Sequence, residues 1–308
     1  MLNFLLDIAP DKSQLLLTIK LAGILREKKQ EVYYTYTSNP AFTPVLYDKG
    51  ISNCVLYPDD FRWLKPDLTL LDCRHAAHAS LYRQLAIDYI FIAMQLPDQK
   101  NIQDKDISIL YLPPTPYLSS GSGPRLETLT KRLQDIKKGK ERNIIVGLLG
   151  KGNKNSKILE DFYRVIKRSS IRNPRYQFIL LTDIPNVYQS SELPDNMELF
   201  RTLNLNTILP LCDLALTDSH SDAWLDCTFA QIPVLKYSPK DMINITPMKL
   251  EQQIEYALQN KTTLTQKAKE LCDFFERKNR EINKIADMLI ERAGRNRYNS
   301  CRLRPHTY

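Results

Sequence analysis

Residues 211–233 read LCDLALTDSHSDAWLDCTFAQIP. The apolar run 214–217 predicts a buried strand; a polar turn follows, residues 222–230 predict a helix, and residues 232–235 predict the next strand. A strand–turn–helix of this kind aims backbone N–H groups and a helix N-terminus at an anion. Backbone that comes so close to an anion normally uses glycine, whereas this turn holds Asp218, Ser219 and His220. The frame therefore points to a parallel α/β sheet with a ligand at its strand ends, and the contents question what that ligand is.

The rest of the chain follows the same grammar of short apolar strands alternating with longer amphipathic helices. In the first half, strands are predicted at 2–8, 31–35, 54–57, 68–72 and 89–94. Helices are predicted at 15–28, in a short piece ending near Gly50, and at 76–85. Pro113, Pro114 and Pro116, followed by Ser119-Ser120-Gly121-Ser122-Gly123-Pro124, mark a linker. A connecting helix at 125–138 precedes strands at 143–149, 177–181 and 197–200 and helices at 156–168 and 207–212. A long helical end at 247–292 could pack back across the first domain. The expected domains are 1–118, a linker with connecting helix at 119–142, a second domain at 143–292, and a basic tail at 293–308.

With 308 residues, the chain is large enough for two cores. Its composition, 43% hydrophobic and 25% charged, is that of an ordinary globular protein. No apolar run reaches the length of a membrane span, and the first seven residues read as a strand rather than a signal peptide, so a cytoplasmic location is expected. The six cysteines show no paired spacing and are expected as reduced thiols. Of the net charge of +8, five charges lie in residues 292–308, which contain no acid. No nucleic-acid-binding motif accompanies them, which leaves a solvated tail or weak peripheral attraction to an anionic membrane surface.

Four stretches together carry a resemblance. Residues 21–35, LAGILREKKQEVYYT, are similar to a first helix and second strand of the form LAxxLxxxGHEV. Pro66-Asp67-Leu68 to Asp72 resembles PDLVxxD, Leu193-Pro194-Asp195-Asn196 resembles LPxNV, and residues 217–233 align without a gap to THGGxxTxxEAxxxGVP. In this order they resemble the UDP-glycosyltransferase family of GT-B glycosyltransferases, especially bacterial macrolide and small-molecule glycosyltransferases. The resemblance implies two Rossmann-like domains facing each other across a cleft. It also implies a UDP- or dTDP-sugar as donor substrate, with no cofactor and no metal.

The site residues it implies are unevenly kept. The family's base histidine falls at Gln14, which can hydrogen-bond a hydroxyl but cannot take up its proton near neutral pH. Asp72 falls on the acid that orients that base, and equally suits a polar cap at a strand end. Ser219, His220, Ser221 and Asp222 cover the diphosphate-binding turn, and Asp218 there would repel a diphosphate. Asp226 replaces the ribose-binding Glu, Gly150 and Gly152 match the nucleotide-contacting loop, and Gln231 replaces the glycine before the Val-Pro pair. After Pro239 the donor-sugar segment is missing, since Ile245-Thr246-Pro247 already resembles a later helix start.

Base, phosphate and sugar positions thus depart independently. The reading they favour is a pseudo-glycosyltransferase, weakly active or non-catalytic, that binds a nucleotide sugar or small molecule, or partners an active glycosyltransferase. The alternatives are an active nucleotide-sugar-dependent transferase and a short GT-B nucleotide-sugar hydrolase or epimerase.

Two further clusters carry residue types of other chemistries. Asp72-Cys73-Arg74-His75-Ala76-Ala77-His78 offers zinc-type ligands, with His75 and His78 on one helix face beside Asp72 or Cys73; the expectation is a strand end followed by an ordinary helix. The residues 218–222 include triad residue types, but sequence neighbours cannot form a Ser-His-Asp relay. They are expected as a polar loop with Ser221 or Asp222 as helix cap, and Trp224 as core packing.

Overall fold

A computed structural model describes residues 1–8, 12–35, 51–54, 64–94, 103–104, 107–114, 124–139, 142–149, 156–182, 193–219 and 222–302. The chain divides into two compact units, one formed by Met1–Thr115 and Asp273–Tyr308, the other by Pro116–Cys272. No helix among the described residues is long and apolar enough to cross a membrane.

The first unit is built on β1 (Asn3–Asp7), α1 (Lys12–Glu27), β2 (Glu31–Thr35), β3 (Ser52–Cys54), β4 (Leu68–Asp72), α2 (Ala79–Gln84), β5 (Tyr89–Met94), β6 (Gln103–Asp104) and β7 (Ile107–Leu112). Its sheet runs β3-β2-β1-β4-β5-β7-β6, with every pair parallel except β6 with β7. All five residues of β4 are buried, as a central parallel strand covered on both faces requires. Leu15, Leu17, Leu21, Ala22 and Leu25 give α1 its buried stripe. β6 and β7 were not anticipated from the sequence. The helix expected at 76–85 is a 3-10 turn, Cys73–His78, followed by α2. The short helix expected before Gly50, and most of the strand expected at 54–57, lie outside the described residues.

The second unit comprises α3 (Pro124–Gly139), β8 (Asn143–Leu149), α4 (Ser156–Arg172), β9 (Tyr176–Thr182), β10 (Met197–Phe200), α5 (Leu205–Ile208), β11 (Leu214–Asp218), α6 (Ala223–Phe229), β12 (Val234–Tyr237), α7 (Pro239–Asn244) and α8 (Pro247–Gln259). Its all-parallel sheet runs β10-β9-β8-β11-β12. β9 is buried along its whole length. Gly147 in β8 lets Leu180 of β9 pack closely, since a Cβ there would lie 2.3 Å from the Leu180 Cδ2.

The long helical end is two helices, α9 (Lys261–Arg280) and α10 (Ile282–Arg302), and the boundary between the units falls within α9. The stretch 143–292, expected as one domain, is thus divided by packing. Ile282, Ala286, Leu289 and Ala293 of α10 enter the same core as Leu17, Leu21, Phe4 and Leu68. Residues 293–302, expected as part of a basic tail, are helical. Three arginines of α10 are engaged within the chain: Arg292 donates to Asp88 at 2.8 and 2.9 Å, Arg297 binds the Met1 carbonyl and lies near Asp67, and Arg295 pairs with Glu291. Burial alone would raise the Asp88 carboxyl, but hydrogen bonds from Arg292 and Asn296 hold it below the usual value.

The recognised sequence pieces turn out to be joints of the fold. Asn196 donates from its amide to the carbonyls of Ser170, Asn173 and Tyr176, tying the end of α4 to the start of β9. Asp67 accepts from the Asn3 backbone N–H at 2.8 Å, fixing the start of β1 beside β4. Lys29, at the glycine position of LAxxLxxxGHEV, has φ 62°, and Gln231, at the glycine before Val-Pro, has φ 57°. Each closes its helix with paired backbone bonds, Gln30 to Leu25 with Lys29 to Arg26, and Ile232 to Cys227 with Gln231 to Thr228. The left-handed backbone survives where the glycine that eases it has gone.

Candidate functional site

In each sheet the chain first builds outward to one side and then crosses over to the other, leaving a switch point between β1 and β4 in the first and between β8 and β11 in the second. Open parallel sheets bind ligands outside the carboxyl ends of the strands at such a point. Asp7 and Asp72 end β1 and β4, and Leu149 and Asp218 end β8 and β11.

At the first sheet, Asp7 is the hub. It is 1% exposed. His75 Nδ1 lies 3.0 Å from its Oδ1 and His78 Nδ1 lies 2.7 Å from its Oδ2. The Tyr82 hydroxyl donates to Oδ2 at 2.7 Å and the Thr35 hydroxyl to Oδ1 at 3.3 Å. Four polar groups around a buried carboxylate satisfy both oxygens. Burial alone would raise Asp7, but hydrogen bonds from His75, His78 and Tyr82 outweigh it and hold the carboxyl below the usual value. The bond to Asp7 raises the His75 imidazole. Burial and the adjoining Asp7 charge raise the Tyr82 phenol.

The local sequence explains this convergence. β1 and β4 are parallel neighbours with Asp7 opposite Leu71, so the turn after β4 passes beside the end of β1. A 3-10 turn places side chains three residues apart nearly in line, which puts His75 and His78 together, their ring centroids 4.9 Å apart. Asp72 caps this turn: its Oδ1 accepts from the Arg74 backbone N–H at 2.9 Å, and its Oδ2 accepts from the Arg74 guanidinium at 3.2 and 3.1 Å. Gln14 is buried in α1, where its backbone carbonyl accepts from Thr18, whose hydroxyl accepts from Tyr34. Asp7, Tyr82 and Thr35 were missed from the sequence. The available signal was an acid ending the first strand, at the same level as the acid ending the fourth.

A carboxylate that holds imidazoles through Nδ1 can orient a ring for proton transfer, and the same atoms can hold a metal ion.

At the second sheet, Asp218 is buried at the end of β11 and Ser219 donates its backbone N–H to the Tyr237 carbonyl at 2.8 Å. The helix α6 has seven residues, with Asp222 at its cap position making no side-chain bond to the helix N–H groups. Asp226 is buried in α6. Trp224 was expected in the core, but it is half-buried beneath Lys236, whose Nζ lies 3.9 Å from the ring centroid; desolvation lowers that ammonium's pKa. Gly150, Gly152, His220 and Ser221 lie outside the described residues. After β12, Ser238 caps α7 through a reciprocal bond pair with Asp241, and Thr246 caps α8.

No protein-family model matches the chain. No curated protein matches it in sequence. Solved structures do match over nearly its full length. The spinosyn forosaminyltransferase SpnP is 14% identical, with 95% of this chain and 99% of that chain covered and a TM-score of 0.66. The glycosyltransferase SnogD from Streptomyces nogalater is 15% identical, with 95% and 99% covered and a TM-score of 0.61. The glycosyltransferase VinC in complex with dTDP is 12% identical, with 96% and 100% covered and a TM-score of 0.63. With two Rossmann-like sheets and such neighbours at such low identity, the chain has the GT-B fold of natural-product glycosyltransferases in a divergent form.

Proposed function

We propose that this protein is a pseudo-glycosyltransferase: it keeps the ligand-binding strand ends of the GT-B fold but does not transfer sugar from a nucleoside diphosphate. The observation that carries this reading is Asp218, a buried acid at the end of β11 where the resemblance expects the start of a glycine-bearing phosphate turn. A carboxylate about 5 Å from a phosphate charge opposes it by about 3 kcal/mol at an effective dielectric of about 20, roughly two decades in affinity. The short passage from β12 into α7 and α8 adds support, because the resemblance expects a donor-sugar segment there that the sequence lacks.

VinC, crystallised with dTDP, suggests the probe. A thermal-shift series with UDP, dTDP, GDP and their sugars should leave the wild-type melting temperature unchanged at millimolar ligand. A ligand at a hundred times its Kd would stabilise by about 2.7 kcal/mol, a shift that is easily read. Asp218→Gly, compared with its own ligand-free form, should gain a response to dTDP. A wild-type shift with dTDP, together with turnover of a dTDP-sugar, would sink the reading.

A further inference from the structure

The geometry points to a divalent-cation site at Asp7, His75 and His78, with Zn2+ the ion its chemistry suits best. One ligand atom from each residue lies within 4.8 Å of the others. Zinc bonds to imidazole nitrogen at about 2.0–2.1 Å and to carboxylate oxygen at about 2.0–2.2 Å, which places tetrahedral ligands roughly 3.4 Å apart. The Nδ1 to carboxylate distances of 3.0 and 2.7 Å therefore need to open by about 0.4 and about 0.7 Å. Two imidazoles with one carboxylate form a donor set matched to zinc rather than to magnesium or calcium.

Support for the ligands is already in place. The Tyr82 hydroxyl at 2.7 Å and the Thr35 hydroxyl at 3.3 Å hold the two carboxylate oxygens in the way that outer-shell donors orient a metal ligand. The carboxylate is buried, His75 is about a quarter exposed and His78 about half exposed, so an ion can enter from the histidine side. Three protein ligands leave a fourth position for water or a ligand oxygen, which is the composition of an open site rather than a closed structural one. The aligned position Gln14 plays no part, and neither Asp72 nor Cys73 belongs to the set. The site draws on β1 and on the turn after β4, two elements 68 residues apart in the chain. The inference stands apart from the nucleotide reading, because it requires no nucleotide.

The test is equilibrium titration of the full chain, stripped of metal by a chelator, with Zn2+ against a chromophoric competitor and no nucleotide present. About one equivalent should bind with a Kd below about 10 μM, or about −7 kcal/mol, and Zn2+ should raise the melting temperature. His78→Ala, at a half-exposed position, and His75→Ala should each weaken binding at least tenfold. Co2+ in place of Zn2+ should give visible bands of a nitrogen- and oxygen-ligated ion without thiolate charge transfer. Absence of binding, binding unchanged in His75→Ala/His78→Ala, or a thiolate signature would each overturn the site. A dTDP-induced shift with intact Zn2+ binding would overturn only the functional reading.

Discussion

The carboxyl ends of the two sheets are alike in topology and opposite in what they keep. At the second sheet the frame matches the resemblance: β11, α6 and the left-handed Gln231 stand where its strand, helix and helix end are expected, while the residue types at the positions it assigns to the turn differ. At the first sheet the residues expected for chemistry, Gln14 and Asp72, are a buried helix residue and a turn cap, yet a different set has converged on Asp7. The sequence motif therefore marks the frame, while a cluster of polar groups that no motif marks lies at the other strand end. A fold can hold its backbone signature where its chemistry has drifted, and assemble polar chemistry where no signature is written.

The largest test of this contrast is Asp7→Ala. It removes the acceptor shared by His75, His78, Tyr82 and Thr35 and should cost about 3 kcal/mol in denaturant unfolding, the range for breaking a buried charged network. A loss below about 1 kcal/mol would mean that the first strand end is no more tightly wired than the second.

Next in size are the paired reversions Gln231→Gly and Lys29→Gly. A left-handed residue other than glycine costs about 1–2 kcal/mol, part of which glycine returns through unfolded-state entropy, so each reversion should stabilise by about 1 kcal/mol in the same measurement. Equal gains in both units would show that glycine loss is general to the chain; a gain at Gln231 alone would tie it to the altered turn.

The smallest effect concerns pH. The folded Asp88 carboxyl titrates below its ordinary 3.8 because of Arg292 and Asn296. Its contribution is therefore present above that value and is lost as pH falls through the folded pKa. Arg292→Ala should flatten the acid limb of a stability–pH curve while leaving its neutral limb parallel to wild type. The pair is partly exposed, so the change should be modest.

Much of the fold was legible because its signals are local. The strands at 31–35, 68–72, 89–94, 143–149 and 197–200 have the boundaries their apolar runs predict. Asp67, Asn196 and the left-handed turns sit within short recognisable pieces because each acts on backbone nearby or at a fixed joint. The Asp7 cluster was not legible in that way. His75 and His78 were visible as a pair, but the spacing suggested Asp72 or Cys73 as their partner, and only the pairing of β1 with β4 brings Asp7 beside them. The return of the helical end to the first unit was expected, but not that α10 alone enters its core, since an amphipathic helix does not state which core it covers.

That last assignment has a consequence for how the protein is made. The core containing Phe4, Leu17, Leu21 and Leu68 closes with Ile282, Ala286, Leu289 and Ala293, and residues 116–272 must be synthesised between the two groups. At about 5–20 residues per second this interval lasts on the order of 8–30 s. Through it, the first part of the chain waits at the ribosome with an apolar face uncovered, while the intervening unit has its whole sheet in hand. The second unit is thus placed to finish folding first, although it comes later in the sequence.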